Sequence, residues 1–175
     1  MRYATIGVIS VLAFLAACSQ PSAPTEDDNS SAATSNVQAG SETTPPTPTL
    51  TDAQKKELLE ELPAAYQKAD LANGEAKFAL CQACHNTAQG AGNSIGPNLY
   101  GVFGRKAGVE SGFSYSNGLK ALGVTWNAEQ IDHWIANPRA MVPDTKMTYV
   151  GMSNAKDRVD LVAYLKTITS PPPSN

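Results

Sequence analysis

Cys81, Cys84 and His85 stand in the run Cys81-Gln-Ala-Cys84-His85, the part of the chain richest in chemistry. Two thiols on adjacent helical turns can each add to a vinyl group of one porphyrin, and the adjoining imidazole can bind its iron. This spacing is that of c-type haem attachment. Iron held by His85 needs a sixth ligand or an open position. Met147, in the run Val142-Pro143-Asp144-Thr145-Lys146-Met147, is the chosen partner, with Met141 and Met152 as rivals. A thioether is a soft, weak-field ligand that favours ferrous iron, so a His/Met pair raises the potential and suits an electron carrier. Taken alone, a methionine is more often core packing.

Other uses of the motif fit less well. A structural zinc site wants four ligands. Beyond Cys81 and Cys84 only His85 and His133 remain in this domain, in no finger spacing. His133 itself reads as a helix-face residue beside Trp134. A thioredoxin-like redox pair expects a preceding strand, whereas the pattern before Cys81 is helical.

The elements that must position these residues follow from caps and periodicity. Leu71, Phe78 and Cys81 share one helical face, with Gly74 at a similar angle, so a helix runs from Leu71 into the motif. Residues 86–124 hold nine glycines and no sustained period, and read as loop wrapping something. Asn127-x-x-Gln130 opens a helix over 128–136 that must end near Asn137-Pro138. Asn154-x-x-Asp157 opens the last helix, with Leu161, Val162, Leu165 and Ile168 as its apolar stripe, and Pro171-Pro172-Pro173 stops it. No strand alternation and no repeat is present. Short helices with long Gly/Pro loops offer little aliphatic core, and a large flat cofactor would supply it.

Upstream of this domain the chain changes character. Arg2 and the apolar stretch from Ile6 to Leu15 read as an export signal over 1–17. The run Leu15-Ala16-Ala17-Cys18 resembles the lipobox of bacterial lipoproteins, which implies lipidation of Cys18. Two or more acyl chains anchor stably where one does not. Residues 18–50 read as a lipid-anchored, disordered Ser/Thr/Pro linker. A flexible coil of residues 19–50 would span ~30 Å. Thr51-x-x-Gln54 is a capping box for a helix through Leu62, interrupted by Pro63. Residues 51–69 are expected as a stalk or an accessory helix, and 171–175 as a tail.

Charge is divided unevenly. Residues 19–50 carry four acidic and no basic residues, whereas residues 70–175 carry eight acidic and nine basic, a net of +1. A near-neutral domain gives no case for nucleic-acid binding. With Cys18 assigned to lipid, Cys81 and Cys84 are the remaining cysteines, so no disulfide framework is expected.

From Leu71 to about Thr169 the chain resembles the class I (mitochondrial-type) cytochromes c. Asn73-Gly-Glu-Ala-Lys-Phe78 before the haem motif is similar to the family's N-terminal helix. Gly96-Pro97-Asn98-Leu99, Gly101 to Arg105, Phe113-Ser-Tyr115-Ser116 and Val124-Thr-Trp126 match its pocket loops in order. Asn137 to Met147 matches the axial-methionine loop, and Asp160 to Lys166 the C-terminal helix that crosses the first. The resemblance implies one covalent haem c, bound through thioethers at Cys81 and Cys84, with His85 and Met147 as axial ligands. It implies that the Pro97 carbonyl orients His85, and that Tyr115, Trp126 and Arg105 meet a propionate. Thr145 would line the methionine side, and Gly74 would let the two helices approach closely.

Three features depart from the family pattern. Trp134 stands where a tyrosine is usual near the methionine sulfur. Asp144 replaces a usual glycine. The lysine ring around the haem edge is thinned to Lys77, Lys106, Arg139 and Lys146.

The expected fold is therefore an all-α domain over about 70–170, with three to five helices and long Gly/Pro loops around one haem. The expected function is one-electron transfer without bond chemistry, so the chain is not read as an enzyme. Its partners would be membrane-bound: a cytochrome bc-type donor, and a terminal oxidase, peroxidase or photosynthetic reaction centre as acceptor. The protein is expected as a monomer held by lipid on the periplasmic side of a bacterial membrane, the inner favoured over the outer. The alternatives are a haem sensor or enzyme with an open sixth site, or a cytochrome subunit of a dehydrogenase.

Overall fold

Caps written into the sequence open the helices. In the structure, a computed structural model describing residues 50–173, Thr51 and Gln54 form a reciprocal capping box at the start of α1 (Asp52–Glu60). The expected signal peptide, Cys18 and the expected linker up to residue 49 lie outside the described residues. α1 stops just before Leu62, and Pro63 starts the single turn of α2 (Ala64–Gln67). The Gln67 amide closes this corner by donating to the Leu62 carbonyl at 2.8 Å. The Asp70 side chain accepts the Ala72 and Asn73 amides and opens α3 (Leu71–Gln82). Ser116 opens α4 (Asn117–Ala121), and Asn127 opens α5 (Ala128–Ala136). Asn137 breaks α5 and caps the one-turn α6 (Pro138–Met141). Asn154 caps α7 (Ala155–Thr169), which gives way to prolines.

Four of these seven helices have nine residues or more, within the expected three to five, and α2, α4 and α6 are additional single turns. Helices of four or five residues are too short to show a period, so α4 lay hidden in a Gly-rich segment and α6 in the methionine loop. Among the described residues no strand forms. One isolated antiparallel bridge joins Lys106 to Thr125.

The α3–α7 crossing organises the domain. A Cβ at Gly74 would lie 2.6 Å from the Tyr164 Cβ and closer still to the Asp160 carbonyl, so only glycine admits this approach. Asp160, 1% exposed, ties the crossing by accepting from the Asp70 amide at 2.9 Å and from Asn73 at 2.8 Å. Beside it Phe78 packs on Tyr164, ring centroids 5.9 Å apart.

Residues 51–69 lie on another face of α7. Leu58, Leu62 and Tyr66 are buried there. Each such side chain stabilises the packing by about 1.5–3 kcal/mol on burial. Tyr66 sits close enough to α5 that, after burial itself, Asp132 and Glu129 raise the pKa of its hydroxyl further.

Candidate functional site

The last turn of α3 presents Cys81, and the chain then tightens. The amides of Cys84 and His85 both donate to the Cys81 carbonyl at 3.0 Å. The following loop folds back over this turn: the Gly96 amide reaches the Cys84 carbonyl at 2.8 Å, and the Leu99 amide the Asn86 carbonyl at 2.8 Å. That return places the Pro97 carbonyl 2.7 Å from His85 Nδ1. A carbonyl can only accept, so Nδ1 carries the hydrogen and Nε2 keeps a free lone pair for a metal. Burial holds the imidazole below its usual pKa, with the Pro97 bond opposing, so the ring is neutral at pH 7. Gly96 lies flat on the ring, where a Cβ would be 2.7 Å from Nδ1 and 2.8 Å from Nε2.

These groups open into a cavity of about 350 Å³ whose walls are mostly apolar. That volume lies in the ~300–1,000 Å³ range of cofactor pockets. α3 and α7 contribute Phe78, Leu161 and Leu165, and α5 contributes Ile131, Trp134 and Ile135. Cys81, Cys84, His85, Pro97, Arg105, Tyr115, Trp126, Thr145 and Met147 all line it. Of the three candidate methionines, Met147 alone is a wall residue. Met152 is buried in the core with its amide bonded to the Ile135 carbonyl at 2.8 Å, and Met141 packs at the end of α6. His133 is exposed on α5.

The methionine loop is fastened from several points. The Thr145 hydroxyl accepts the Met147 amide at 3.2 Å, and Thr145 is itself buried. Lys146 donates to the Ser114 carbonyl at 2.8 Å and hydroxyl at 2.9 Å. Asp144 accepts from the Ser116 hydroxyl at 3.2 Å and the Gly118 amide at 3.0 Å. The sequence marks Asp144 only as standing in place of a usual glycine, whereas the structure gives its side chain a tie to α4.

Arg105 is more committed than the sequence suggests. Its guanidinium pairs with Glu110 and donates to the Asn98 carbonyl at 2.8 Å and the Tyr100 carbonyl at 3.2 Å. Burial raises the Tyr115 pKa against the lowering effect of Arg105, so the hydroxyl keeps its proton and can donate. Trp126 and Trp134 stand as a tilted pair, centroids 5.8 Å apart. Tyr149 is a wall residue that sequence reasoning passed over. Its hydroxyl pKa is raised by burial first and by Cys81 second. The only cue in the sequence was an aromatic residue two positions past Met147.

The rival uses of the cysteines find no support here. Among the described residues no three His, Cys, Asp or Glu side chains converge as a metal cage. Burial, with Cys84 adding to it, pushes the Cys81 thiol up to about 11, the reverse of the depressed thiol a redox pair needs. The donor set instead suits haem c: two thiols, a neutral imidazole with a free nitrogen and a thioether, all on one apolar cavity.

Comparison with known proteins gives the same picture. The sequence profile of the cytochrome c family matches residues 71–169, more than half of the chain. The chain is 41% identical over 104 residues to cytochrome c2 of Rhodomicrobium vannielii, covering 59% of this chain and 83% of that one. It is 40% identical over 105 residues to cytochrome c of Stellaria longipes, covering 59% of this chain and 97% of the relative. Among solved structures, cytochrome cH from Methylobacterium extorquens superposes with a TM-score of 0.53 at 45% identity, covering 57% of this chain and 99% of that one.

Proposed function

The chain belongs to the class I cytochrome c family, which carries one covalently bound haem c, and we propose that it is a membrane-tethered one-electron carrier. The observation that carries this reading is the convergence of Cys81, Cys84, His85 and Met147 on one apolar cavity.

When bound, haem c supplies a single iron that changes oxidation state by one electron. The protein's part is to hold and insulate it. Cys81 and Cys84 would fix the cofactor covalently through thioethers. His85 offers Nε2 in the neutral form, with Pro97 keeping Nδ1 protonated and the ring oriented. Met147 would supply the soft ligand that favours the reduced state. Phe78, Leu161, Leu165 and the α5 side chains exclude water, while Tyr115 and Trp126 present donors for the propionates. With His85 and Met147 both held on the cavity wall as ligands for the haem iron, a substrate would find no open position there, which is what would separate a carrier from an enzyme or sensor.

Electrons would leave by the edge beside the cysteines. Leu80 and Ile95 line the cavity and are 63% and 77% exposed, which makes that rim apolar. Lys77 is paired with Asp157 at 2.9 Å and Lys146 is held by Ser114, so two of the four cations that the thinned ring retains are already engaged. Docking would then depend little on charge, and the tether would supply effective concentration instead.

No helix among the described residues is long and apolar enough to cross a membrane. Lipid on Cys18 would hold the domain on the periplasmic face, favouring the inner membrane, between a cytochrome bc-type donor and an oxidase, peroxidase or reaction-centre acceptor.

A redox-poised visible spectrum tests the core of this reading. The expected result is a low-spin haem with the weak red ferric band of methionine ligation. A spectrum lacking that band, with fast carbon monoxide binding to the ferrous protein, would sink it. Cys18→Ser tests the anchor: the variant should leave the membrane with its haem still attached, and unchanged membrane retention would refute lipidation.

A further inference from the structure

We propose that Asp144 is a positioning residue for Met147, its carboxylate pinning the methionine loop to α4 through a space that only a glycine at 118 leaves open. The inference rests on the reading of Met147 as an axial ligand and goes beyond it to what holds that ligand in reach.

The geometry has two halves. One half is the bond pair: Asp144 accepts from the Ser116 hydroxyl at 3.2 Å and from the Gly118 amide at 3.0 Å. The other is the fit. A Cβ at Gly118 would lie 2.9 Å from Val142 Cγ1 and would run into the Asp144 carboxylate. Gly118 has no positive φ that would otherwise require glycine. Its smallness serves the carboxylate's approach.

The pin acts at the loop's loosest place. Val142 and Thr145 are buried and anchor the loop on either side, while Pro143 and Asp144 form its exposed tip. Two residues separate Asp144 from Met147. A segment held at both flanks and at its tip has less freedom to lose when the thioether binds. Without the tie at the tip, local opening becomes easier, and a weak ligand such as a thioether is released by such openings. Asp144 is exposed, so the effect is a matter of loop order rather than of the field at the iron.

Competition by imidazole on the full-length, haem-bearing ferric protein tests this, because imidazole must displace the methionine to bind. The red methionine band reports the exchange, and guanidinium unfolding of the same samples reports global stability. Asp144→Ala should bind imidazole about three- to tenfold more tightly, up to ~1.4 kcal/mol, with Asp144→Asn intermediate and the unfolding midpoint little changed. Gly118→Ala keeps the carboxylate but evicts it from its place, and should shift the affinity in the same direction. Unchanged imidazole affinity in Asp144→Ala and Gly118→Ala overturns the proposal while leaving Met147 as ligand. A tighter affinity matched by an equal loss of global stability also overturns it, since the role is then merely structural. Absence of the methionine band from the unsubstituted protein removes the ligand reading itself, and the proposal with it.

Discussion

Lys166 on α7 is paired with Glu61 at the end of α1, Nζ to carboxylate 2.6 Å, across 105 positions of sequence. The two ends of the pair are unequal. The Lys166 side chain is 11% exposed and that of Glu61 55%. Lys166 also lies 5.3 Å from the centroid of the Phe103 ring. Residues 51–69 fall outside the segment that matches the cytochrome c family, and this pair helps fasten them to it.

Removing Glu61 therefore strands a nearly buried ammonium. Glu61→Gln should lower the unfolding free energy by about 1–2 kcal/mol, between the values for exposed and for broken buried pairs. Leu58→Ala, at a side chain 3% exposed, should cost about 2–3 kcal/mol. Denaturant unfolding followed by haem absorbance and by far-ultraviolet circular dichroism checks both. Separate transitions, with the haem signal unaffected by either substitution, would show that α1 is not coupled to the haem domain.

Gly96 is the floor on which the His85 ring rests. Gly96→Ala places a methyl group 2.7 Å from Nδ1, so either the ring or the loop must move. The expected cost is about 1–3 kcal/mol, that of inserting a methyl into a packed place, with a lower haem content per chain. Gly92→Ala is the control, because a Cβ there meets nothing within 4 Å. Its effect should stay within about 0.5 kcal/mol. Equal effects of the two alanines would show that contact with the ring is not the reason for Gly96.

Asp160 makes the α3–α7 crossing sensitive to acid. Burial by itself raises its carboxyl pKa, but donors from Lys156, Asn73 and the Asp70 amide outweigh it and hold the group below its usual range. Asp157 beside it is lowered too, by bonds from Asn73 and Lys77. A carboxyl depressed in the folded state binds its proton more tightly when unfolded. Its stabilising contribution is complete above the ordinary aspartate pKa of about 3.9, and is lost as the pH falls through the lower folded value. Stability should therefore drop below about pH 4. Asp160→Asn should flatten that drop and cost about 1–3 kcal/mol at pH 7, the range for loss of bonds to a charged, buried acceptor. Unfolding curves across this pH range decide it, and parallel curves for the two proteins would shift the acid response to other groups.

Much of the fold was legible because its signals are local. Thr51, Asn127 and Asn154 announce helix starts through bonds to amides two or three residues on, and the structure forms each of these caps. Pro63 and Asn137-Pro138 announce helix ends. The single turns of α4 and α6 escaped because they are shorter than the period needed to recognise them. Arg105 was read as facing a propionate, and its pairing with Glu110 was missed because an exposed-looking acid in a Gly-rich loop carries no sign of its partner.

The sequence by itself determined the chemistry: Cys81, Cys84 and His85 at fixed spacing, a methionine downstream, and a family resemblance that ordered the loops between them. Tertiary structure alone decided that Gly96 supports the imidazole, that Tyr149 joins the wall, and that Asp144 reaches Gly118. The reason is physical. Thiol addition and helix capping depend on spacing along the chain, whereas a cavity wall or a carboxylate's approach depends on side chains that meet only after the helices have packed.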